Sequence, residues 1–133
     1  MVGACLEFGG RVVPFAPFVE AFRTLARSVE PARLPALLGT SRHELARFVP
    51  ELALHSAAVV ERPEFDRNLQ ARLFEAVLAS LERLRLASPV VVIVEDIQWA
   101  DDDTRDLIGF LHPHLRSSRV LIALSVGTAE LAR

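Results

Sequence analysis

The sequence contains no lysine, since all fifteen of its basic residues are arginine. Chemistry that needs a lysine from this chain is therefore excluded, including the phosphate-binding lysine of a P-loop, a Schiff base and the lysine of a phospho-receiver domain. One cysteine excludes an internal disulfide framework. The longest aliphatic run, Val90 to Val94, is far shorter than the roughly 18 residues of a membrane helix. The first ten residues lack the pattern of a signal peptide. We expect a cytoplasmic chain with no membrane partner.

The charge balance argues against direct nucleic-acid binding, because the formal net charge is −2 and no basic stripe is present. With 133 residues, of which 51% are hydrophobic and 24% charged, the chain is expected to form one packed domain. We place that domain over residues 1–133.

Three strands are predicted, at about 2–8, 90–95 and 119–125. The run Val90 to Val94 is aliphatic throughout, which is typical of a strand covered on both faces in a parallel sheet. Gly9 and Gly10 are expected to form the turn that ends the first strand. Because these strands alternate with helical patterns, the sequence predicts an α/β fold with a short parallel sheet of about three strands.

Helical spacing of apolar residues predicts four helices. The clearest is an amphipathic helix in which apolar residues recur every three or four positions from Phe65 to Leu84. Pro50 should break or kink the second helix, and the segment from Pro31 to Gly39 is interpreted as a linker. The predicted helices cover about 17–29, 41–55, 65–86 and 102–116, and a loop is expected over 57–64.

Two adjacent acids, Glu95 and Asp96, follow the central aliphatic strand. Ligands of open α/β sheets bind beyond the carboxyl ends of strands, where two acids can hold hydrated Mg²⁺ and orient a water for attack on a phosphate. The competing interpretation is a solvated strand end. For Asp101 to Asp103, capping of the next helix is the favoured interpretation. Cys5 is expected to be a small core residue. The sequence has neither G-x-x-x-x-G-K-[ST] nor G-x-G-x-x-G to cradle phosphates.

The stretch VVVIVEDIQWADDDTRDLIGFL resembles the Walker B region of the AAA-type ATPase domain in large LuxR-type transcriptional regulators, which belong to the STAND class of NTPases. The N-terminal GACLEFGGRVVPFAPFVEAFRTLAR resembles the second strand and following helix of that domain. RVLIALS resembles the strand that usually ends in a T-Y-R sensor element, although this chain has Ser125, Val126 and Gly127 there. The matching motif positions are Glu95, Asp96, Gln98, Trp99, Ala100, Asp101, Thr104, Arg105, Asp106 and Leu107.

The resemblance implies an incomplete P-loop-NTPase-like three-layer sandwich. It also implies that Glu95 holds Mg²⁺ through water, that Asp96 polarises the attacking water, and that Glu95, Asp96 and Ser125 contact the cofactor. The intact family domain uses Mg²⁺ and ATP. Without a P-loop we expect this chain to be a Walker B half that binds neither stably and does not hydrolyse ATP alone.

In the family's sheet the P-loop strand lies beside the sensor strand. We therefore expect the 119–124 strand to present a bare apolar edge, open to self-association or to the missing P-loop half. Two alternatives remain: a non-enzymatic α/β interaction module, and a metal-dependent phosphotransferase built on the acidic cluster.

Overall fold

A parallel three-stranded sheet organises the chain. The computed structural model describes residues 1–5, 7–8, 11–53 and 67–128. The sheet consists of β1 (Val2–Ala4), β4 (Val90–Glu95) and β5 (Val120–Leu124), in the order β1-β4-β5. Both neighbours run parallel to β4, with Val2 opposite Ile93 and Val94 opposite Leu124. The predicted α/β fold with a short parallel sheet flanked by helices is therefore confirmed.

The first predicted strand, over 2–8, differs from the structure. Only Val2–Ala4 joins the parallel sheet, whereas β2 (Glu7–Phe8) pairs antiparallel with β3 (Arg11–Val12). The intervening sequence Gly9-Gly10 is of the kind that favours two-residue hairpin turns, so the local sequence did indicate that β2 pairs with β3. From the sequence, those glycines were expected only to end a strand.

Three helices are long. They are α1 (Ala16–Ser28), α4 (Arg67–Ala87) and α5 (Asp102–Leu115), the last of which continues through Pro113. The segment interpreted as a linker forms a 3-10 turn at Pro31–Arg33 and the short helix α2 (Leu34–Leu38). Prolines in the first turn of a helix cost no hydrogen bond, so this pattern permits a helix.

The predicted helix over 41–55 is not continuous. The short helix α3 (Ser41–Leu45) is followed by turns and by a 3-10 helix at Pro50–Leu52. Pro50 explains the break, because a residue before proline is pushed away from helical dihedrals, and Val49 has φ −125° and ψ 84°. The end of this helix, the 57–64 loop and the first two residues of the predicted 65–86 helix fall within 54–66, outside the described residues.

The core lies on one face of the sheet. Val92 and Val94 are buried there together with the apolar faces of α1, α4 and α5. The opposite face is apolar but open, with Val91 44% and Leu121 61% exposed, and its residues are not part of that core. The described residues form two layers, one of helices and one of sheet, so the expectation that the central strand is covered on both faces is wrong for this part of the chain.

Gly3 allows α1 to approach the sheet closely. A Cβ at this position would lie 1.7 Å from the backbone oxygen of Pro17, in the first turn of the helix. The Ala4 backbone N–H also donates to a Glu20 carboxylate oxygen of α1 at 3.0 Å. These contacts fix α1 against β1.

None of the helices in the described part of the chain has the length and apolar character needed to cross a membrane.

Candidate functional site

The candidate site lies at the carboxyl end of β4, the central strand. Glu95 is the last residue of β4 and is exposed, while its backbone oxygen accepts the Cys5 N–H at 2.9 Å. Asp96 follows directly and is partly exposed. The structure thus places both predicted acids at the rim where parallel sheets bind ligands.

Asp96 forms a bulge in the ladder between β4 and β5. Because Val94 lies opposite Leu124, a regular parallel ladder would pair the Asp96 N–H with the Ser125 carbonyl. That carbonyl instead accepts the N–H of Ile97, at 2.9 Å. Asp96 has the left-handed conformation, φ 56° and ψ 49°, and its displaced N–H donates to the Ser125 hydroxyl at 3.2 Å.

The carboxylates of Glu95 and Asp96 are not used by the fold. Asp96 precedes the 3-10 turn Ile97–Trp99, yet its side chain makes no capping hydrogen bond to that turn. Within the described residues neither carboxylate forms a hydrogen bond or ion pair. A left-handed aspartate costs conformational energy, and such strain is concentrated at functional positions. Both acids are therefore available to a ligand.

A second contact joins the same two segments. The Gly127 N–H donates to the Gln98 side-chain oxygen at 3.3 Å, and a Cβ on Gly127 would lie 2.9 Å from the Gln98 amide nitrogen. No role for this pair was predicted from the sequence. Gln98 stood within the matching motif, but no sequence pattern indicated its contact with a residue 29 positions away.

The Asp101–Asp103 cluster has a structural role at its first residue. The Asp101 carboxylate accepts the Thr104 N–H at 3.2 Å and the Thr104 hydroxyl, and so caps α5. Burial raises the pKa of the Asp103 carboxyl, and the nearby carboxylates of Asp101, Asp106 and Asp102 raise it further. The helix-capping interpretation of this cluster is confirmed for Asp101.

Cys5 lies at the end of β1, beneath the rim, and is buried. Burial raises the pKa of its thiol, as do the Asp101 and Asp96 carboxylates, while the Arg105 guanidinium has a smaller opposing effect. A thiol with a raised pKa is a poor nucleophile, so Cys5 is not expected to be reactive. Its burial in the hydrophobic core confirms the prediction that it is a small core residue.

The donor set fits Mg²⁺ held through water. Magnesium prefers carboxylate oxygens, retains several waters and takes further ligands from substrate phosphates, so one or two carboxylates are sufficient. Within the described ranges, no group of three or more His, Cys, Asp or Glu side chains is placed to enclose a metal ion. The rim therefore suits a cation that a bound phosphate helps to hold, and not a closed structural metal site.

The comparisons with known proteins give one match. The family model described as "AAA ATPase domain" matches residues 1–123. No curated protein and no solved structure matches the chain.

Proposed function

The chain belongs to the AAA ATPase domain family, and we propose that it supplies the acidic, Walker B side of a Mg²⁺–ATP site. One observation carries the proposal: two carboxylates that the fold does not use end the central strand at the ligand-binding rim of a parallel sheet. Family membership gives the site its substrate class, a nucleoside triphosphate.

The roles that we propose come from the resemblance to the Walker B region, and the positions of the two acids are compatible with them. Glu95 ends β4 with an exposed side chain and would hold Mg²⁺ through water. Asp96 would orient and polarise the water that attacks the terminal phosphate. Ser125, next to Asp96, would lie close to the cofactor. When bound, Mg²⁺ neutralises charge that develops on the phosphate oxygens.

We also propose that the domain comes from a LuxR-type regulator of transcription in the STAND class. The string Glu95-Asp96-Ile97-Gln98-Trp99-Ala100-Asp101 supports this origin, because it is more specific than two acids after a strand. In such a protein the site would control a regulatory state, and DNA would be bound elsewhere in the protein.

This chain alone should bind ATP weakly or not at all. Phosphate affinity comes mainly from P-loop backbone N–H groups, a lysine and a helix dipole, and the sequence has neither a P-loop motif nor a lysine. Without them the two acids repel a triphosphate unless Mg²⁺ bridges. Isothermal titration calorimetry with Mg²⁺–ATP tests this, and micromolar affinity would overturn it. Asp96→Asn would then show whether that binding uses the rim.

We propose that β5 offers its open edge to another strand, either of a second copy or of a polypeptide that carries a P-loop. In the described residues β5 pairs only with β4, and the strand Val120–Leu124 has no charged residue to discourage pairing. Leu121 is 61% exposed on the open face.

Light scattering over a concentration series tests the edge. We expect self-association that Leu121→Arg reduces, because a charge on the edge opposes strand pairing. Leu86→Arg is the matched control, since Leu86 is 74% exposed but lies on α4. The proposal would be contradicted if the chain remained a monomer at high concentration and also did not bind an added P-loop segment from a family member.

A non-enzymatic interaction module is the second candidate. The open apolar face of the sheet supports it, because contiguous exposed apolar surface marks interaction sites. If a protein partner bound Glu95→Gln and Asp96→Asn as tightly as the parent chain, that result would favour this function over the nucleotide site. The phosphotransferase alternative has no comparable observation in its favour.

A further inference from the structure

We propose that Ser125 and Gln98 are positioning residues that hold Asp96 in its strained conformation at the rim. This inference rests on the proposed function, because it concerns the acid that would orient the attacking water. It adds a specific device to that function: two hydrogen bonds that join the turn after β4 to the segment after β5.

The first bond compensates for the bulge at Asp96. In a regular ladder the Asp96 N–H would have a carbonyl partner, but Ile97 takes that carbonyl. The N–H that the bulge displaces needs another acceptor, which at this exposed position is either water or a nearby side chain. The Ser125 hydroxyl provides it at 3.2 Å. A hydroxyl that accepts one hydrogen bond can still donate its own proton, so this role is compatible with contact to a ligand.

The second bond adds to the backbone hydrogen bonds that Ser125 makes with Val94 and Ile97, and holds the segment that follows this acceptor. Ser125 follows the last residue of β5, and residues 125–127 belong to no helix or strand. The Gln98 side chain accepts the Gly127 N–H at 3.3 Å and so attaches this segment to the 3-10 turn that follows Asp96. Gly127 is the residue type that permits the approach, because a Cβ would lie 2.9 Å from the Gln98 amide.

The arrangement leaves the carboxylate free. Both bonds use backbone N–H groups, and the Asp96 side chain takes part in neither. Ser125 restrains the backbone of Asp96 directly, Gln98 restrains the segment after Ser125, and the Asp96 carboxylate stays available, which is what an acid that must orient a water requires.

Amide hydrogen exchange, followed by NMR on the full 133-residue chain, tests the proposal without nucleotide. Ser125→Ala should speed exchange of the Asp96 amide about fivefold or more, since a hydrogen bond is lost. Ser125→Thr keeps an acceptor and should restore protection. Ser118→Ala is the matched control, because the Ser118 hydroxyl bonds the Leu115 carbonyl, away from the rim.

Gln98 is tested by a second pair of variants. Gln98→Met removes the acceptor at similar length and should speed exchange at both Gly127 and Asp96, whereas Gln98→Glu keeps an acceptor and should leave both protected. The proposal would be overturned if the Asp96 amide were unprotected from exchange in the parent chain. It would also be overturned if the exchange rate of this amide did not change in Ser125→Ala and in Gln98→Met. Loss of protection in Ser125→Thr equal to that in Ser125→Ala would also do so.

The two proposals fail separately. If the exchange results are as expected but Asp96→Asn has no effect on ATP hydrolysis by the domain supplied with its P-loop, the proposed function fails and the two bonds stand. If hydrolysis depends on Asp96, but the exchange rate of the Asp96 amide is the same in the Ser125 and Gln98 variants as in the parent chain, only this inference is contradicted.

Discussion

Replacement of Gly3 by alanine should destabilise the fold strongly. The new Cβ would lie 1.7 Å from the Pro17 backbone oxygen and 2.4 Å from its carbonyl carbon, whereas ordinary contacts begin at 3.4 Å. No side-chain rotation relieves this clash, so β1 and α1 must separate by about 1.7 Å. Overpacking in a core costs about 1–3 kcal/mol and sometimes more. Because backbone must move here, we expect a loss of about 3 kcal/mol.

Urea unfolding followed by far-ultraviolet circular dichroism measures the effect. Gly109→Ala is the matched control: nothing lies within 4 Å of a Cβ at Gly109, in the interior of α5, so alanine should gain about 0.5–1 kcal/mol from helix propensity. A loss of 3 kcal/mol would lower the midpoint of thermal unfolding by about 10 °C for a chain of this size. If Gly3→Ala unfolds within 0.5 kcal/mol of the parent, the close approach of α1 to β1 is refuted.

Three further substitutions test the rim. Asp96→Gly should raise the free energy of unfolding by about 0.5–1 kcal/mol, because glycine adopts the left-handed conformation without strain; a clear loss in urea unfolding would contradict this. Asp101→Ala should lower the free energy of unfolding by about 1 kcal/mol, because the hydrogen bond that caps the Thr104 N–H is lost. Asp101→Asn keeps a capping oxygen and should lose much less; equal losses in the two variants would show that the cap is not the cause. Burial raises the pKa of Asp103, so its ionisation destabilises the fold and Asp103→Asn should be more stable at pH 7. That gain should disappear near about pH 3, where the carboxyl is protonated in both states; thermal unfolding across pH measures it, and a gain independent of pH would be evidence against it.

The elements with strong periodic signals were the most predictable. The aliphatic run from Val90 marks β4, which is the central strand of the sheet. The α2 helix was missed because Pro31 and Pro35 were interpreted as marks of a linker. Leu34 and Leu38 are nevertheless one helical turn apart and both buried, so the apolar signal was present. Proline content alone was a misleading criterion there, because proline is compatible with the start of a helix.

The position of the candidate site was predictable from the sequence, but its backbone conformation was not. Glu95 and Asp96 could be located from a strand followed by two acids, because the rim of a parallel sheet is a general binding place. The bulge at Asp96 could not, because it depends on the register with β5 and on the Ser125 hydroxyl, 29 residues away in sequence. Local sequence carries no information about such a register, and the same holds for the contact between Gln98 and Gly127.

Two aspartates of the same motif show how structure separates stability from function. Asp101 has ordinary backbone dihedrals, and its carboxylate is used to cap α5. Asp96 has a strained backbone, and its carboxylate makes no bond within the described residues. A strained backbone persists only where other contacts support it, and at Asp96 the Ser125 hydroxyl provides such a contact. Substitutions of Asp101 should therefore act on folding, and those of Asp96 should leave the fold intact while abolishing nucleotide chemistry in a domain that has its P-loop.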